Sequence, residues 1–371
     1  SPDPAAQWQP ILTPLYLALA TVLALVAALS GHQMNRFLWL WSALLSATVP
    51  LSLPLSGTLP LSLLCRRLHK SGCAVAGWDG AARVGKRRSL ILTDTDLFPP
   101  GTIRLNGVKV YGEELSKAAA YAAAAAHGAG CGLARVFDGL AVGENAPRET
   151  AQDLSFYEQG GFGCTIHGES VLLGTASFMR KQDVRLPGNI NLKTGVFLAI
   201  DHQLAAVFAV KYEAAENVDY ALRTMRRSRI TPILAVRDPN ITPALLKRKF
   251  FKRIKVEYPD LTDRVALSEA EEDRGLPRAL LLREGLLPYA EAVVGSRRLR
   301  TAVRRASWLS LLGSGTGVLL TAYLVSLQKF DLLTPLSLTV FLLLWTLPVL
   351  LLSDWTGRYC HLTNIPHCCL P

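Results

Sequence analysis

The sequence predicts a membrane-embedded α-helical protein that carries one large α/β domain. Half of its 371 residues are hydrophobic and the mean hydropathy is positive, at +0.24. Four segments contain no charged residue, and each is about as long as, or longer than, the roughly 20 residues that cross a bilayer core. Between the second and third of them, strand-like apolar runs alternate with helical patterns, which favours an α/β fold. The uncharged segments are residues 11–30, 37–65, 307–328 and 332–353.

Short links join the first two and the last two of these segments, at residues 32–36 and 329–331. Links of this length predict two transmembrane hairpins and therefore four transmembrane helices. A single run of this kind could be a buried core helix, but four such runs favour the membrane.

The charged residues are concentrated between the two hairpins. Of the 40 Lys and Arg residues, 37 lie within residues 66–305, and so do 26 of the 29 Asp and Glu residues. Basic residues that flank transmembrane segments stay on the cytosolic side, so we expect the central domain to be cytosolic and both links to lie outside. The basic clusters next to the membrane segments favour the anionic lipid bilayer as partner. No nucleic-acid-binding module is evident, so we expect no nucleic acid partner.

The seven cysteines are weakly informative. Four are scattered through the predicted cytosolic region, where disulfides are rare. The C-terminal tail could ligate a soft metal, carry acyl groups on its paired cysteines, or do neither, and its spacing fits no standard zinc motif. The tail residues concerned are Cys360, His361, His367, Cys368 and Cys369.

The central region predicts strands followed by acidic residues. Residues 89–93 (SLILT) are a short apolar run that ends at Asp94, Asp96 and a Pro-Pro-Gly turn, as a buried strand and its loop would. Alternating strands and helices indicate a doubly wound parallel sheet, whose ligands bind at the carboxyl ends of the strands. Asp94 and Asp238 each follow such a strand, so we expect their carboxylates to face one crevice. The other predicted elements are helices at 113–127, 214–227 and 242–251, a hairpin at 195–200 and 203–210, and a strand at 230–236.

Four motifs follow one another in a set order: VPLSLP at 49–54, TDTDLFPPG at 93–101, GFG at 161–163 and VRDPNIT at 236–242. In order and spacing, they resemble the second half of the P-type ATPases, ion pumps that form an aspartyl-phosphate. In that family, a proline-broken membrane helix leads to a haloacid-dehalogenase-like phosphorylation domain. A nucleotide-binding domain is inserted in it, and a stalk helix returns to the membrane.

The resemblance implies a doubly wound, Rossmann-like phosphorylation domain with an inserted α+β nucleotide-binding-like domain. It also implies ATP and Mg²⁺ as cofactors if the protein is active. The family's actuator domain has no counterpart here unless it precedes Ser1. The implied divisions are a transmembrane hairpin at 1–65, a phosphorylation-like domain at 66–110 and 206–305, a nucleotide-binding-like domain at 111–205, a second hairpin at 306–353 and a cytosolic tail at 354–371.

The resemblance also implies roles for acidic residues. Asp94 takes the position of the family's nucleophile, which attacks the terminal phosphate of ATP. Asp96 instead resembles the second aspartate of haloacid-dehalogenase phosphatases, a general acid and base. Asp238 and Thr242 match part of the family's TGDNxxTA, and Glu284 stands near its GDGxND, so these three are candidates to hold phosphate or metal.

The glycines of the predicted inserted domain are candidates to bind nucleotide, because glycine lets the backbone approach a ligand closely. They are Gly161, Gly163, Gly168 and Gly174. The family's His-Pro pair, which helps to seat adenine, aligns here with Cys131 and Gly132, a departure that weakens the case for ATP.

Pro50, Ser52 and Pro54 are candidates to line a transport path, because prolines at this spacing unwind a membrane helix and free carbonyl groups. The alternative is a kinked structural helix. Leu51 replaces the family's glutamate, and none of the four predicted membrane segments contains an Asp or Glu side chain that could bind a cation.

Other parts of the catalytic set differ from the family. The lysine after the nucleophile is absent, Arg237 replaces a glycine and could bind phosphate or lie on the surface, and Arg264 is the basic residue nearest to the family's later lysine. Three functions follow from this mixture. The first is a weak or non-catalytic relative of the cation pumps that regulates or scaffolds a transporter or a separate actuator-containing subunit. The second is a membrane-bound phosphohydrolase that uses Asp94 and Asp96, and the third is an active pump with compensated motifs.

Overall fold

The computed structural model describes residues 4–31, 34–49, 51–188, 192–251, 253–269 and 275–357. In chain order the helices are α1 (Pro4–Ser30), α2 (Phe37–Thr48), α3 (Leu53–Ser71), α4 (Gly77–Val84), α5 (Asp94–Leu97), α6 (Leu115–Gly128), α7 (Ala134–Gly143), α8 (Ala176–Lys181), α9 (Glu216–Arg227), α10 (Pro243–Lys249), α11 (Leu261–Ser268), α12 (Leu286–Ser326) and α13 (Pro335–Gly357). The strands are β1 (Cys73–Val75), β2 (Ser89–Leu92), β3 (Ile103–Val110), β4 (Gln152–Tyr157), β5 (Gly161–Ile166), β6 (Glu169–Gly174), β7 (Gly195–Ile200), β8 (Gln203–Tyr212), β9 (Thr231–Leu234) and β10 (Ala279–Leu281).

The chain forms two compact units. The first, the helical unit, comprises Ser1–Arg87, Leu276–Glu284 and Glu291–Pro371, and the second, the α/β unit, comprises Arg88–Gly275 and Gly285–Ala290. The predicted combination of membrane helices with an α/β domain is therefore confirmed. The finer divisions at residues 65, 110, 205, 305 and 353 stay predictions.

Within the described ranges, three helices of the helical unit are long and apolar enough to cross a membrane: Gln7–Ser30, Leu286–Ser326 and Pro335–Thr356. A fourth is counted if α2 and α3, which are bent by 43° at the break between them, form one span. Helix α12 has 41 residues and is about 60 Å long. Since that is twice the thickness of a bilayer core, only its apolar second half fits inside one.

The predicted break between α2 and α3 is present. Val49 is extended, its N–H donates to the Leu45 carbonyl, and α3 then begins at Leu53. Proline has no N–H to donate and clashes with the preceding turn, so Pro54 at the start of α3 cannot continue the hydrogen bonding of α2. Pro50 itself lies outside the described residues.

Small residues bring α12 close to its neighbours. A Cβ atom on Gly317 would lie 1.8 Å from the Ala47 carbonyl oxygen, and one on Gly313 would lie 2.8 Å from the Trp345 ring. Close approach of backbones is how helices associate in lipid, where the hydrophobic effect does not drive them together. Hydroxyl pairs join α3 to the same helix, from Ser52 to Ser310 at 2.7 Å and from Ser56 to Ser307 at 3.0 Å.

Past the hydroxyl pairs, a buried ion pair joins α3 to α12. Arg67 donates from Nε and Nη2 to the two carboxylate oxygens of Glu291, at 2.9 and 3.2 Å. The side chains are 8% and 1% exposed. A bidentate guanidinium–carboxylate pair fixes geometry as well as charge.

The α/β unit contains a six-stranded antiparallel sheet in the order β3-β8-β7-β6-β5-β4. The alanine side chains of α6 are buried, and α6 contacts β5 and β6. A second sheet pairs β2 with β9 in parallel, and a bridge from Ile233 to Glu257 extends it. The predicted strand at 89–93, helix at 113–127, hairpin at 195–210 and helix at 214–227 are confirmed within a few residues. Since the parallel sheet has two strands and one bridge among the described residues, the larger Rossmann-like sheet stays a prediction.

Candidate functional site

Two aspartates lie side by side where the two parallel strands end. Asp94 follows β2 and Asp238 follows β9, and the register pairs Leu92 with Leu234. The Asp238 N–H donates to Asp94 Oδ2 at 3.1 Å. The side chains are 5% and 0% exposed. The expectation that these two residues follow neighbouring parallel strands is confirmed, but they are buried rather than open to a crevice.

Backbone N–H groups surround the Asp94 carboxylate. Oδ1 accepts from Arg237 N at 3.1 Å, and Oδ2 accepts from both Asp238 N and Gly132 N, the latter at 2.9 Å. Gly132 belongs to the loop between α6 and α7. A Cβ atom at Gly132 would lie 2.7 Å from the Asp94 Cβ, so only glycine permits this approach of the loop.

The Asp238 carboxylate is enclosed in the same way. Its Oδ2 accepts from the Tyr212 hydroxyl at 2.6 Å, and its Oδ1 accepts from Asn240 N at 2.9 Å. Tyr212 is fully buried, and its ring packs edge-on against Phe98 at 5.1 Å. All four oxygens of the two carboxylates therefore accept hydrogen bonds from the protein.

Burial raises the pKa of Asp94, although its three backbone donors and then the Arg237 charge oppose the shift. Burial and then the charge of Asp94 raise the pKa of Asp238, against the hydrogen bonds from Tyr212 and Asn240. Ionising both of two adjacent buried carboxylates costs much free energy, because the two charges are desolvated and repel each other. The pair therefore keeps a proton at pH values where a free aspartate has lost it.

Arginine side chains next to the site are bound elsewhere. Arg237 donates from Nη1 to the Ala129 carbonyl at 3.0 Å and from Nε to Ser268 Oγ at 2.7 Å. Its side chain is 17% exposed, so the alternative of a surface residue is wrong. Arg264 donates to the Tyr258 hydroxyl at 2.7 Å, and its Nη2 lies 3.3 Å from Glu158 Oε2.

Two predicted site residues cap helices. Asp96 Oδ2 accepts from the N–H and the hydroxyl of Thr93, both at 2.9 Å, which completes a capping box on α5. The Thr242 hydroxyl accepts from Leu245 N at 3.3 Å and caps α10. Each of these residues thus has a local structural role.

The predicted nucleotide glycines lie in or beside the β5–β6 hairpin. Gly161 pairs with Gly174 across the strands, and a Cβ atom on either would clash with the Phe178 ring, at 2.1 and 2.6 Å. A Cβ on Gly163 would lie 3.0 Å from Leu172 Cδ2, and Gly168 has a positive φ of 81° in the turn. Packing and turn geometry explain these glycines, while nucleotide binding stays a prediction.

The remaining candidates are not brought to the aspartate pair by the described contacts. Glu284 is exposed and belongs to the helical unit. Ser52 is buried against Ser310, whereas Pro54 of the same helix is exposed. A cavity of about 20 Å³ lies at the helix break beside Ser52 and Ser310. Pro50 and the Cys/His tail residues lie outside the described ranges.

The aspartate pair does not fit Mg²⁺ as it is arranged here. Mg²⁺ requires near-octahedral oxygen ligands and is usually bound by one or two carboxylates together with phosphates and waters. Within the described part of the chain, no group of three or more His, Cys, Asp or Glu side chains is arranged to hold a metal ion, at this pair or elsewhere. The four carboxylate oxygens of Asp94 and Asp238 accept from protein donors and are buried.

Two site residues escape detection from the sequence. Gly132 and Tyr212 contact the aspartates only through the tertiary fold. Gly132 does carry a signal, because the resemblance noted in the sequence aligns Cys131 and Gly132 with that family's His-Pro pair. Nothing in the local sequence marks Tyr212, which ends a strand of the large sheet.

No protein-family model matches the sequence, and no curated protein matches it. Solved structures similar to this chain include a zinc-transporting PIB-type ATPase in its E2·Pi state (13% identity, TM-score 0.46, 95% of this chain and 63% of that one) and in its E2P state (15%, 0.43, 93% and 63%). The catalytic domain of the CPx-ATPase CopB-B is also similar (16%, 0.35, 53% and 69%). The chain spans less than two thirds of the length of the zinc-transporting ATPase in either state, and at these TM-scores the family assignment is a proposal.

Proposed function

We propose that this chain is a P-type-ATPase-like membrane protein, related to ATP-driven cation transporters, in which phosphoryl transfer is weak or lost. Its role is then to regulate or scaffold a partner, such as a transporter or a separate actuator-containing subunit. The observation that carries the proposal is the enclosed Asp94 carboxylate, which accepts three backbone hydrogen bonds and is 5% exposed.

Phosphoryl transfer needs an in-line nucleophile, cations on the phosphate and a metal ion held by carboxylates. Asp94 is covered by the loop that carries Gly132, and both nearby guanidinium groups are bound to protein acceptors. The loss of one such electrostatic contact typically slows a reaction roughly 10²- to 10³-fold. Several altered contacts together support very low activity.

The test is a phosphoenzyme trap with labelled ATP and Mg²⁺ on the full chain in detergent or nanodiscs. We expect no acid-stable phosphate above background, and no difference between the native protein and Asp94→Asn. Hydroxylamine-labile phosphate that Asp94→Asn abolishes and Asp263→Asn retains would contradict the proposal, because Asp263 lies on α11 and has no contact with Asp94.

The phosphohydrolase alternative has its own test, in which Mg²⁺-dependent release of phosphate from a phosphate monoester is measured. It requires Asp96 to exchange a proton with substrate, whereas Asp96 Oδ2 accepts two hydrogen bonds from Thr93. Hydrolysis lost in both Asp94→Asn and Asp96→Asn would replace our proposal with this one.

The proposal includes a cytosolic location for the region between the two hairpins, based on its excess of basic residues. In intact cells, a membrane-impermeant thiol reagent should modify a cysteine placed at Gln33 and spare one placed at Glu169. The opposite labelling pattern would reverse the orientation.

A further inference from the structure

The α/β unit carries a basic surface that the proposed phosphoryl chemistry does not use. Residues 221–256 contain eleven Lys and Arg residues but one acidic residue, the buried Asp238. This segment alone therefore accounts for nearly all of the chain's formal net charge of +11. An excess of this size over so short a segment creates a strong local positive potential.

The fold brings the two ends of this segment together. Arg223 and Arg226 on α9 place their guanidinium carbons 5.1 and 5.7 Å from the centre of the Phe251 ring, which follows α10. Lys247 and Arg248 lie on the last turn of α10, just before that ring. We call this surface the basic face, and its six exposed members are Arg223, Arg226, Lys247, Arg248, Arg253 and Lys255.

The charge of the basic face is largely uncompensated. Arg223 pairs with Asp219 at 2.6 Å, while the other five members form no ion pair within the described ranges. Basic residues in the last turn of a helix are stabilised by the helix dipole, which accounts in part for Arg226, Lys247 and Arg248. It does not account for Arg253 and Lys255, which lie beyond the end of α10.

We propose that the basic face binds the phosphate groups of anionic phospholipids. Its long, exposed Lys and Arg side chains, with one aromatic ring among them, suit an extended array of phosphates rather than a single enclosed anion. The chain is anchored in a bilayer, so headgroups are present at high effective concentration. Each Lys or Arg near an anionic membrane surface contributes about 1 kcal/mol of attraction. The proposal rests on membrane anchoring and not on phosphoryl transfer, so the two fail independently.

The test uses the full chain in nanodiscs of zwitterionic lipid, so that anionic lipid is supplied only by the added vesicles. The discs are mixed with vesicles of zwitterionic lipid, with or without phosphatidylserine, and co-flotation is measured at low and high salt. We expect flotation with the phosphatidylserine vesicles alone, and its loss at high salt, because screening weakens attraction between exposed charges.

A variant that combines Arg226→Gln, Lys247→Gln, Arg248→Gln and Arg253→Gln should partition about 10²- to 10³-fold more weakly. The matched control removes four exposed basic residues of the same unit outside the basic face, namely Arg135, Arg180, Lys181 and Arg185. It should retain native partitioning. Equal loss in both variants, binding to vesicles of either composition, or no flotation of the native protein would overturn the proposal. So would retention of duplex DNA through the same four residues without vesicle binding.

Discussion

Two pairs of buried polar side chains in this protein differ in how their charge is compensated. In the helical unit, Glu291 is 1% exposed and accepts two hydrogen bonds from the guanidinium group of Arg67. In the α/β unit, Asp94 and Asp238 are buried beside each other, and neutral backbone and hydroxyl groups supply their closest hydrogen bonds.

This difference indicates that the Arg67–Glu291 ion pair has a structural role, whereas the Asp94–Asp238 pair is a candidate functional site. A buried ion pair with good geometry roughly offsets its own desolvation cost, so it serves to hold two helices in register. Two adjacent buried acids have no such compensation and retain a proton instead. Strongly perturbed pairs of this kind concentrate at functional sites, which is why the aspartates, rather than the ion pair, are the candidate site.

The largest expected effect comes from breaking the ion pair. Arg67→Met removes the guanidinium partner of the buried Glu291 carboxylate, which should lower the free energy of unfolding by about 3–5 kcal/mol. Denaturant-induced unfolding in mild detergent measures this change in the free energy of unfolding. The neighbouring exposed residue provides the control, because Arg66→Met should change stability by less than about 0.5 kcal/mol. Adding Glu291→Leu to Arg67→Met should recover most of the loss, and a double variant as unstable as the single one would refute the pairing.

A smaller effect is expected from Gly132→Ala, whose new Cβ would meet the Asp94 Cβ at 2.7 Å. Overpacking of this kind costs about 1–3 kcal/mol. The loop should move away from Asp94 and expose the adjacent Cys131, which is 4% exposed in the native fold. Thiol labelling of Cys131 should therefore speed up. Gly139→Ala on α7, where nothing lies within 4 Å of the added atom, should leave the labelling rate unchanged.

The smallest expected effect concerns pH. Burial raises the pKa values of both Asp94 and Asp238 above the unfolded-state value of about 3.9, and the charge of Asp94 adds to the shift of Asp238. The native state then binds more protons, so the pair's contribution to stability decreases as the pH rises from about 4 toward neutrality. Asp238→Asn should reduce this dependence and raise the free energy of unfolding by about 1 kcal/mol at pH 8. An unchanged pH profile would show that the aspartates do not share a proton in this way.

The sequence predicted those features that depend on local pattern. The uncharged segments, the break near Pro50 and the strands that precede Asp94 and Asp238 all follow from hydropathy, proline chemistry and short apolar runs. The enclosure of Asp94 could not be predicted, because Gly132 reaches it through tertiary packing. The sequence left two roles for Arg237, phosphate binding or a place on the surface. It could not decide between them, because it does not show the Ala129 carbonyl to which Arg237 donates.

The basic face is not evident from the sequence for a different reason. Basic residues also cluster next to the membrane segments, so charge along the chain does not single out the group in the middle of the α/β unit. Its helices lie on either side of β9 in sequence, and only the contacts of Phe251 with Arg223 and Arg226 reveal them as one surface.

The strand order has a consequence for how the protein folds. Strands β4 to β8 are consecutive neighbours in the large sheet, so each can pair as soon as the next one forms. Strands β2 and β9 must instead find each other across that whole meander. Contacts between distant parts of a chain form slowly, because the entropy of loop closure is lost before the contacts stabilise the chain. We expect the antiparallel sheet to form early and the two aspartates to be brought together late, so that the site is among the last parts of the α/β unit to acquire its native structure.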